Sequence, residues 1–152
     1  MQNNEVLRSL GHAFSMSPER LSELFALGGL ELSAEQAERL ALRERDEAHL
    51  PCSDEQLAAL LDGFVLDRRG PPPNGRRPNQ LPLTNNAVFK KLRAGLQLRE
   101  EGILKLLAAG GLSMDKRQLT PLFRAVGHKH YKSCSDEVLR AFFRGLAGAQ
   151  WG

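Results

Sequence analysis

The sequence contains itself twice. Sliding the chain by 82 positions sets residues 3–66 against 85–148 without a gap, and 19 of the 64 paired positions are identical. Asn3, Asn4, Val6 and Leu10 meet Asn85, Asn86, Val88 and Leu92, while Gly28, Gly29 and Leu30 meet Gly110, Gly111 and Leu112. The tetrapeptide Cys-Ser-Asp-Glu at 52–55 returns at 134–137 and holds the chain's two cysteines. A gapless internal match means one supersecondary unit used twice. A unit of about 65 residues is near the lower limit for independent stability, so the copies are expected to pack on each other, or the chain to dimerise.

Each copy reads as four helices. Val6, Leu7, Leu10 and Phe14 lie at helical spacing behind Asn3 or Asn4 as the expected cap, and Val88, Phe89, Leu92 and Leu96 repeat them. Leu21, Leu24 and Phe25, echoed by Ile103, Leu106 and Leu107, give a second buried stripe that ends at a Gly-Gly pair able to take the left-handed stop. Third helices are expected from about Ser33 to Arg43 and from Asp115 to Ala125, with Pro121 confined to a first turn or a bend. The fourth stripe is continuous in both copies, Leu57, Leu60, Leu61, Phe64 and Leu139, Phe142, Phe143, Leu146. Gly63 and Gly145 fall inside it. A mid-helix glycine costs about 1 kcal/mol relative to alanine, so its presence in both copies predicts the close approach of another backbone. The two repeats are expected to pack through these stripes and glycines. Two-residue alternation is absent beyond a possible "LEL", so the fold class is all-α, a tandem duplication of a roughly four-helix unit.

The segment RRGPPPNGRRPNQLPLT carries five of the eight prolines and reads as a partly extended linker. It divides the chain into a first repeat (1–67), a Pro/Arg-rich linker (68–84) and a second repeat (85–152). Charge is sorted the same way, with a net of −8 over the first repeat, four arginines and no acid in the linker, and a net of +7 over the second repeat. Two halves of opposite sign should attract each other, or one should meet an oppositely charged partner. An apolar content of 41% excludes a disordered chain. With no basic-then-apolar leader, no run near the ~18 apolar residues of a membrane span, and two cysteines, a cytoplasmic protein is expected with no membrane partner.

Ser53 and Ser135 suit helix N-caps, and the acids behind them suit the positive end of the helix dipole. Ser53 with Gln56 makes a capping box, which Ser135 with Val138 cannot. Each cysteine then precedes a cap, where a neutral thiol packs as a small apolar group; neighbouring acids oppose the alternative, a reactive thiolate. His128, His130 and Cys134 are close in sequence and form a weak metal-ligand candidate, three donors where a structural zinc site needs four, so no metal and no cofactor is assigned.

The stretch KKLRAGLQL…ILKLLAAGG…DKRQLTPLFR has the order helix, glycine turn, basic helix of a helix-turn-helix. On that reading Lys116, Arg117, Gln118 and Arg124 face bases while Lys90, Lys91, Arg93 and the linker arginines face phosphates. The turn is longer than the usual three or four residues, and the matching helix of the first copy, SAEQAERLAL, is acidic. The same residues equally suit an acidic protein surface, including the first repeat of another copy. No phosphate loop, carboxylate pair or nucleophile motif points to an enzyme.

The repeated NNxVxxxL, the GGLxL turn, CSDExLxAxxxGF and above all FRAVGHKHYKSCSDEVLRAFFRGL resemble the YehS-like bacterial proteins, catalogued as domain of unknown function 1456. The resemblance runs over the whole chain apart from the linker. It implies a cytoplasmic, duplicated helical protein and brings no catalytic or binding residue with it. The expected function is a non-enzymatic interaction module that uses the basic second repeat, with a DNA- or RNA-binding regulator as the alternative.

Overall fold

Helical periodicity recurs at the 82-residue offset, and so do the helices. The computed structural model describes residues 1–75 and 78–149. The first repeat contains α1 (Asn3–Ala13), α2 (Pro18–Leu27), α3 (Ala34–Ala41) and α4 (Asp54–Arg69). The second contains α5 (Asn85–Leu96), α6 (Glu100–Ala109), α7 (Lys116–Leu119), a 3-10 turn (Thr120–Phe123) and α8 (Asp136–Gly148). No strand occurs among the described residues.

Local chemistry accounts for most of the boundaries. Ser53 closes a capping box with Gln56 at the start of α4, and Ser33 does so with Gln36 at α3. Ser135 caps α8 through the Val138 N–H at 3.2 Å, without a box. Gly29 and Gly111 both have φ +94°, and their N–H groups and those of Leu30 and Leu112 turn back onto the last turn of α2 and α6, which is the Schellman closure. The third helices differ. Pro121 has no N–H to continue an α-ladder, and α7 stops after four residues to become the 3-10 turn. At the other boundary, α4 runs through Arg69, two residues into the expected linker.

The expected caps of α1 and α5 are corrected. Gln2 stands at the cap of α1 without a side-chain bond, and Thr84 caps α5 through the Ala87 N–H at 3.1 Å. The asparagines lie inside the first turns, where their side chains are free for long-range bonds.

Repeat-to-repeat packing is corrected too. The glycines serve contacts inside each repeat, where α2 packs on α4 and α6 on α8. A Cβ at Gly28 would overlap the Ala59 carbonyl and one at Gly63 the Leu24 carbonyl; Gly110 and Gly145 stand against Ala141 and Leu106 in the same way. Between repeats, α4 lies on α5 and α1 on α8, a reciprocal arrangement of the kind a two-fold axis generates. A different glycine helps there, because a Cβ at Gly95 would come within 2.9 Å of the Phe64 ring. The stripes of α4 and α8 are buried as expected and join one hydrophobic core that runs through both repeats.

Candidate binding grooves

The paired asparagines and the repeated Cys-Ser-Asp are two halves of one latch. Asn4 Nδ2 donates to the Leu40 and Leu50 carbonyls, both at 2.8 Å, while its Oδ1 accepts from the Cys52 N–H at 3.0 Å. Asn3 Nδ2 donates to the Cys52 carbonyl and to Asp54 Oδ1, at 3.1 and 2.7 Å. The second repeat reproduces every bond: Asn86 holds the Leu122 and Lys132 carbonyls and the Cys134 N–H, and Asn85 holds the Cys134 carbonyl and Asp136. A side-chain amide has two donor hydrogens and an acceptor oxygen, and in Asn4 and Asn86 all are used. These motifs therefore tie the chain before the fourth helix to the first helix. Burial, followed by the neighbouring Asp54 or Asp136, pushes both thiols up to about 12, so they stay protonated at neutral pH.

His128 and His130 stand together in the exposed connection that precedes Cys134, with the His128 Nδ1 accepting the His130 N–H at 3.0 Å. Cys134 itself is buried. Among the described residues, no three His, Cys, Asp or Glu side chains are grouped to hold a metal ion.

Opposite charges meet at the junction of the repeats. Glu5 on α1 takes both Nε and Nη2 of Arg140 on α8, at 2.7 and 2.9 Å. Lys91 on α5 pairs with Asp62 on α4 at 2.6 Å in a half-buried setting, and Asn79 of the linker donates to the other Asp62 oxygen. The Leu83 N–H and the Met1 amino group add bonds to Asp54 and Asp136. The acidic and basic halves thus attract each other within one chain, and Lys91 is committed to that seam.

Of the other expected contact residues, the structure gathers three. A groove of about 580 Å³ is lined by Arg69, Lys90, Arg93 and Phe123, among others. It adjoins a second, of about 520 Å³, that shares Lys90 and Phe123 and adds Arg124, Val126 and Tyr131. Among the described residues, no acid lines either groove. Lys90 and Arg124 are exposed and make no ion pair among the described residues. Arg93 lays its guanidinium 4.6 Å over the Phe123 ring, whose other neighbour is Phe89 at 4.9 Å. Val126 is 76% exposed at the edge of this tract.

Lys116, Arg117 and Gln118 are not brought to it. They sit on α7, where Lys116 pairs with Glu101 at 2.8 Å and Gln118 forms the capping box with Asp115. A four-residue helix is too short to lie along a DNA groove, which removes the recognition helix of the helix-turn-helix reading. Arg76 and Arg77 of the linker lie outside the described residues. Phe123 and Tyr131 were not foreseen as lining residues, because nothing local in sequence connects them to Lys90.

The family model described as Protein of unknown function (DUF1456) matches residues 3–70 and again 85–152. The "Uncharacterized protein YehS" of Escherichia coli (strain K12) is 33% identical over 152 residues, covering 99% of this chain and 97% of that protein. The chain belongs to this family, with two tandem copies of its domain. No solved structure matches. No described helix is long and apolar enough to cross a membrane.

Proposed function

We propose that the protein is a non-enzymatic binding module whose second repeat receives an acidic polypeptide segment in the groove around Lys90. The observation that carries this reading is the tract itself: Arg69, Lys90, Arg93 and Arg124 converge from α4, α5 and the turn after α7, with no carboxylate among the lining residues. Convergent cations without an internal acid attract an anionic ligand and speed its approach. Phe123, Val126 and Tyr131 supply apolar contact beside the charges, which a side-chain-bearing partner fills better than a bare phosphate does.

The nucleic-acid alternative draws on the same cations. Two observations rank it second. The α7 segment is too short to enter a duplex groove, and the Phe123 ring that would stack a base is already occupied by Arg93 and Phe89. The first repeat of another copy is one source of acidic polypeptide, since Glu31, Glu35, Glu38, Glu44 and Glu47 are all exposed.

Fluorescence anisotropy with labelled oligo-glutamate, single-stranded DNA and duplex DNA at low and moderate salt tests the reading. Oligo-glutamate should bind, and K90E with R124E should weaken it roughly tenfold or more. Binding of DNA alone, with a steep salt dependence, would establish the alternative instead. Light scattering across the same salts shows whether the partner is a second copy.

A further inference from the structure

The pseudo-two-fold relation between the repeats invites a search of the first repeat for a counterpart of the Lys90 groove, and there is one. A cavity of about 510 Å³ is lined by Arg8, Ala41, Leu42, Arg43, Arg45 and Asp46. Moving 82 positions along the chain turns Arg8, Ala41 and Leu42 into Lys90, Phe123 and Arg124, all of which line the second-repeat tract. The two cavities thus occupy the same place in the repeated unit, between its first helix and the chain that follows its third.

Composition makes the coincidence informative. The first repeat is acidic overall and holds five basic residues, Arg8, Arg20, Arg39, Arg43 and Arg45. Arg20 is spent on Glu23 and Asp67, and Arg39 on the Ala48 carbonyl. The remaining three line the cavity. Arg43 and Arg45 are exposed and have no ion-pair partner among the described residues. Arg8 is braced by donating to the Leu42 carbonyl at 3.2 Å. Arg8 stands where the basic twin has Lys90, and Arg43 and Arg45 bring two further cations to the same cavity just past Leu42, the position of Arg124, so the acidic unit offers the same kind of ligand a second seat.

We propose that the protein is bivalent: the Arg8–Arg43–Arg45 groove is a second docking site for acidic polypeptide, equivalent by internal symmetry to the Lys90 groove. This rests on the acidic-polypeptide reading of the preceding subsection and extends it. The two seats are unequal. Asp46 lines the first-repeat groove and repels an acidic ligand, whereas no acid lines the other, so the second-repeat site is the tighter. A partner with two acidic segments gains affinity from engaging both seats, provided the link between its segments spans them.

The test is an amide NMR titration of the whole protein with oligo-glutamate. Two separate clusters of shifts are expected, around Lys90 and Arg124 first and around Arg43 to Asp46 at higher concentration. R43E with R45E should weaken the second event roughly tenfold and leave the first, and K90E with R124E should do the reverse. Shifts confined to the second repeat, with one peptide bound per chain, would overturn bivalency while leaving the single-site reading standing. Shifts that respond to neither pair of charge reversals, or no shifts at all, would overturn both.

Discussion

The two repeats share a frame and differ on their surfaces. Both close α2 or α6 with a left-handed glycine, press a glycine of that turn onto the fourth helix, and hang the chain before that helix on an asparagine of the first. Yet the third helix has eight residues in one repeat and four in the other, and the net charges are opposite. Each shared feature meets a backbone or a buried polar group that tolerates no substitute. Of the features that differ, the charges face solvent or the other repeat, while the third helix packs inside its own repeat. A change in the frame should therefore injure both repeats alike, and a change on the surface should injure only the repeat that carries it.

The largest effect is expected from the glycines. Alanine in place of Gly63 gains about 1 kcal/mol of helix propensity, but its methyl would occupy the space of the Leu24 carbonyl oxygen. The obstacle is backbone, not a yielding side chain, so the helices must separate; we expect G63A to cost about 3 kcal/mol or more in urea unfolding followed by circular dichroism. G145A, against the Leu106 carbonyl, should match it. A tolerant second repeat would show that the two frames are not equivalent.

The latch comes next. N4A leaves the buried Leu40 carbonyl, the part-buried Leu50 carbonyl and the Cys52 N–H without the amide that serves them, and N86A does the same at Leu122, Lys132 and Cys134. An unsatisfied buried group costs roughly 1–3 kcal/mol, and water will recover part of the sum, so about 2–3 kcal/mol is expected for each variant. The same unfolding experiment compares them, and a difference above about 1 kcal/mol between the variants would break the symmetry.

The inter-repeat crossings should behave differently from the frame, because their sequences diverge. K91M removes the cation beside Asp62, whose side chain is only 14% exposed, and keeps the aliphatic stem. The loss should fall between that of an exposed pair and a buried one, roughly 1–2 kcal/mol. At the matching place in the other crossing stand Ser9 and Arg144. S9A should change stability by less than about 0.5 kcal/mol, which makes the seam asymmetric where the frame is not.

These differences follow what the sequence makes legible. The duplication is read from the chain's match to itself; the buried stripes of the first, second and fourth helices, the glycine stops and the serine caps rest on neighbours within one or two turns, and all are present. The asparagines read locally as caps, whereas their partners lie far along the chain: Asn4 reaches Leu40, Leu50 and Cys52. The same distance hid the seam, since Glu5 and Arg140 are 135 positions apart, although the opposed charges of the halves left such a pairing as one of two alternatives, beside an external partner. The Lys90 groove was half legible. Lys90, Arg93 and Arg124 stood out as cations, whereas Arg69, Phe123 and Tyr131 join them only through the crossing of α4 on α5 and the turn after α7. The third helix of the second repeat was legible only in its start: a helix through Ala125 with a bend at Pro121 is expected, whereas α7 ends at Leu119.

Glu5 and Arg140, the other charged contact between repeats, should contribute less than Lys91 and Asp62. The Arg140 guanidinium, chiefly through its hydrogen bonds, holds the Glu5 carboxyl below the usual glutamate range; burial opposes this, and the Arg140 charge adds a lesser lowering effect. A carboxylate depressed in the folded state stabilises that state above its unfolded pKa and loses the contribution as pH falls through the folded value. Stability lent by this pair is thus full at neutral pH and fades on acidification below the ordinary glutamate range. Both side chains are partly exposed, 28% for Glu5 and 47% for Arg140, so solvent screening limits the pair to about 0.5 kcal/mol. E5Q should remove that amount at pH 7, nothing near pH 2, and less in high salt. A double-mutant cycle with R140M isolates the coupling from other effects of each change. A coupling near 2 kcal/mol would mean that α1 and α8 are held by this ion pair; a value near 0.5 leaves the crossing to its apolar contacts.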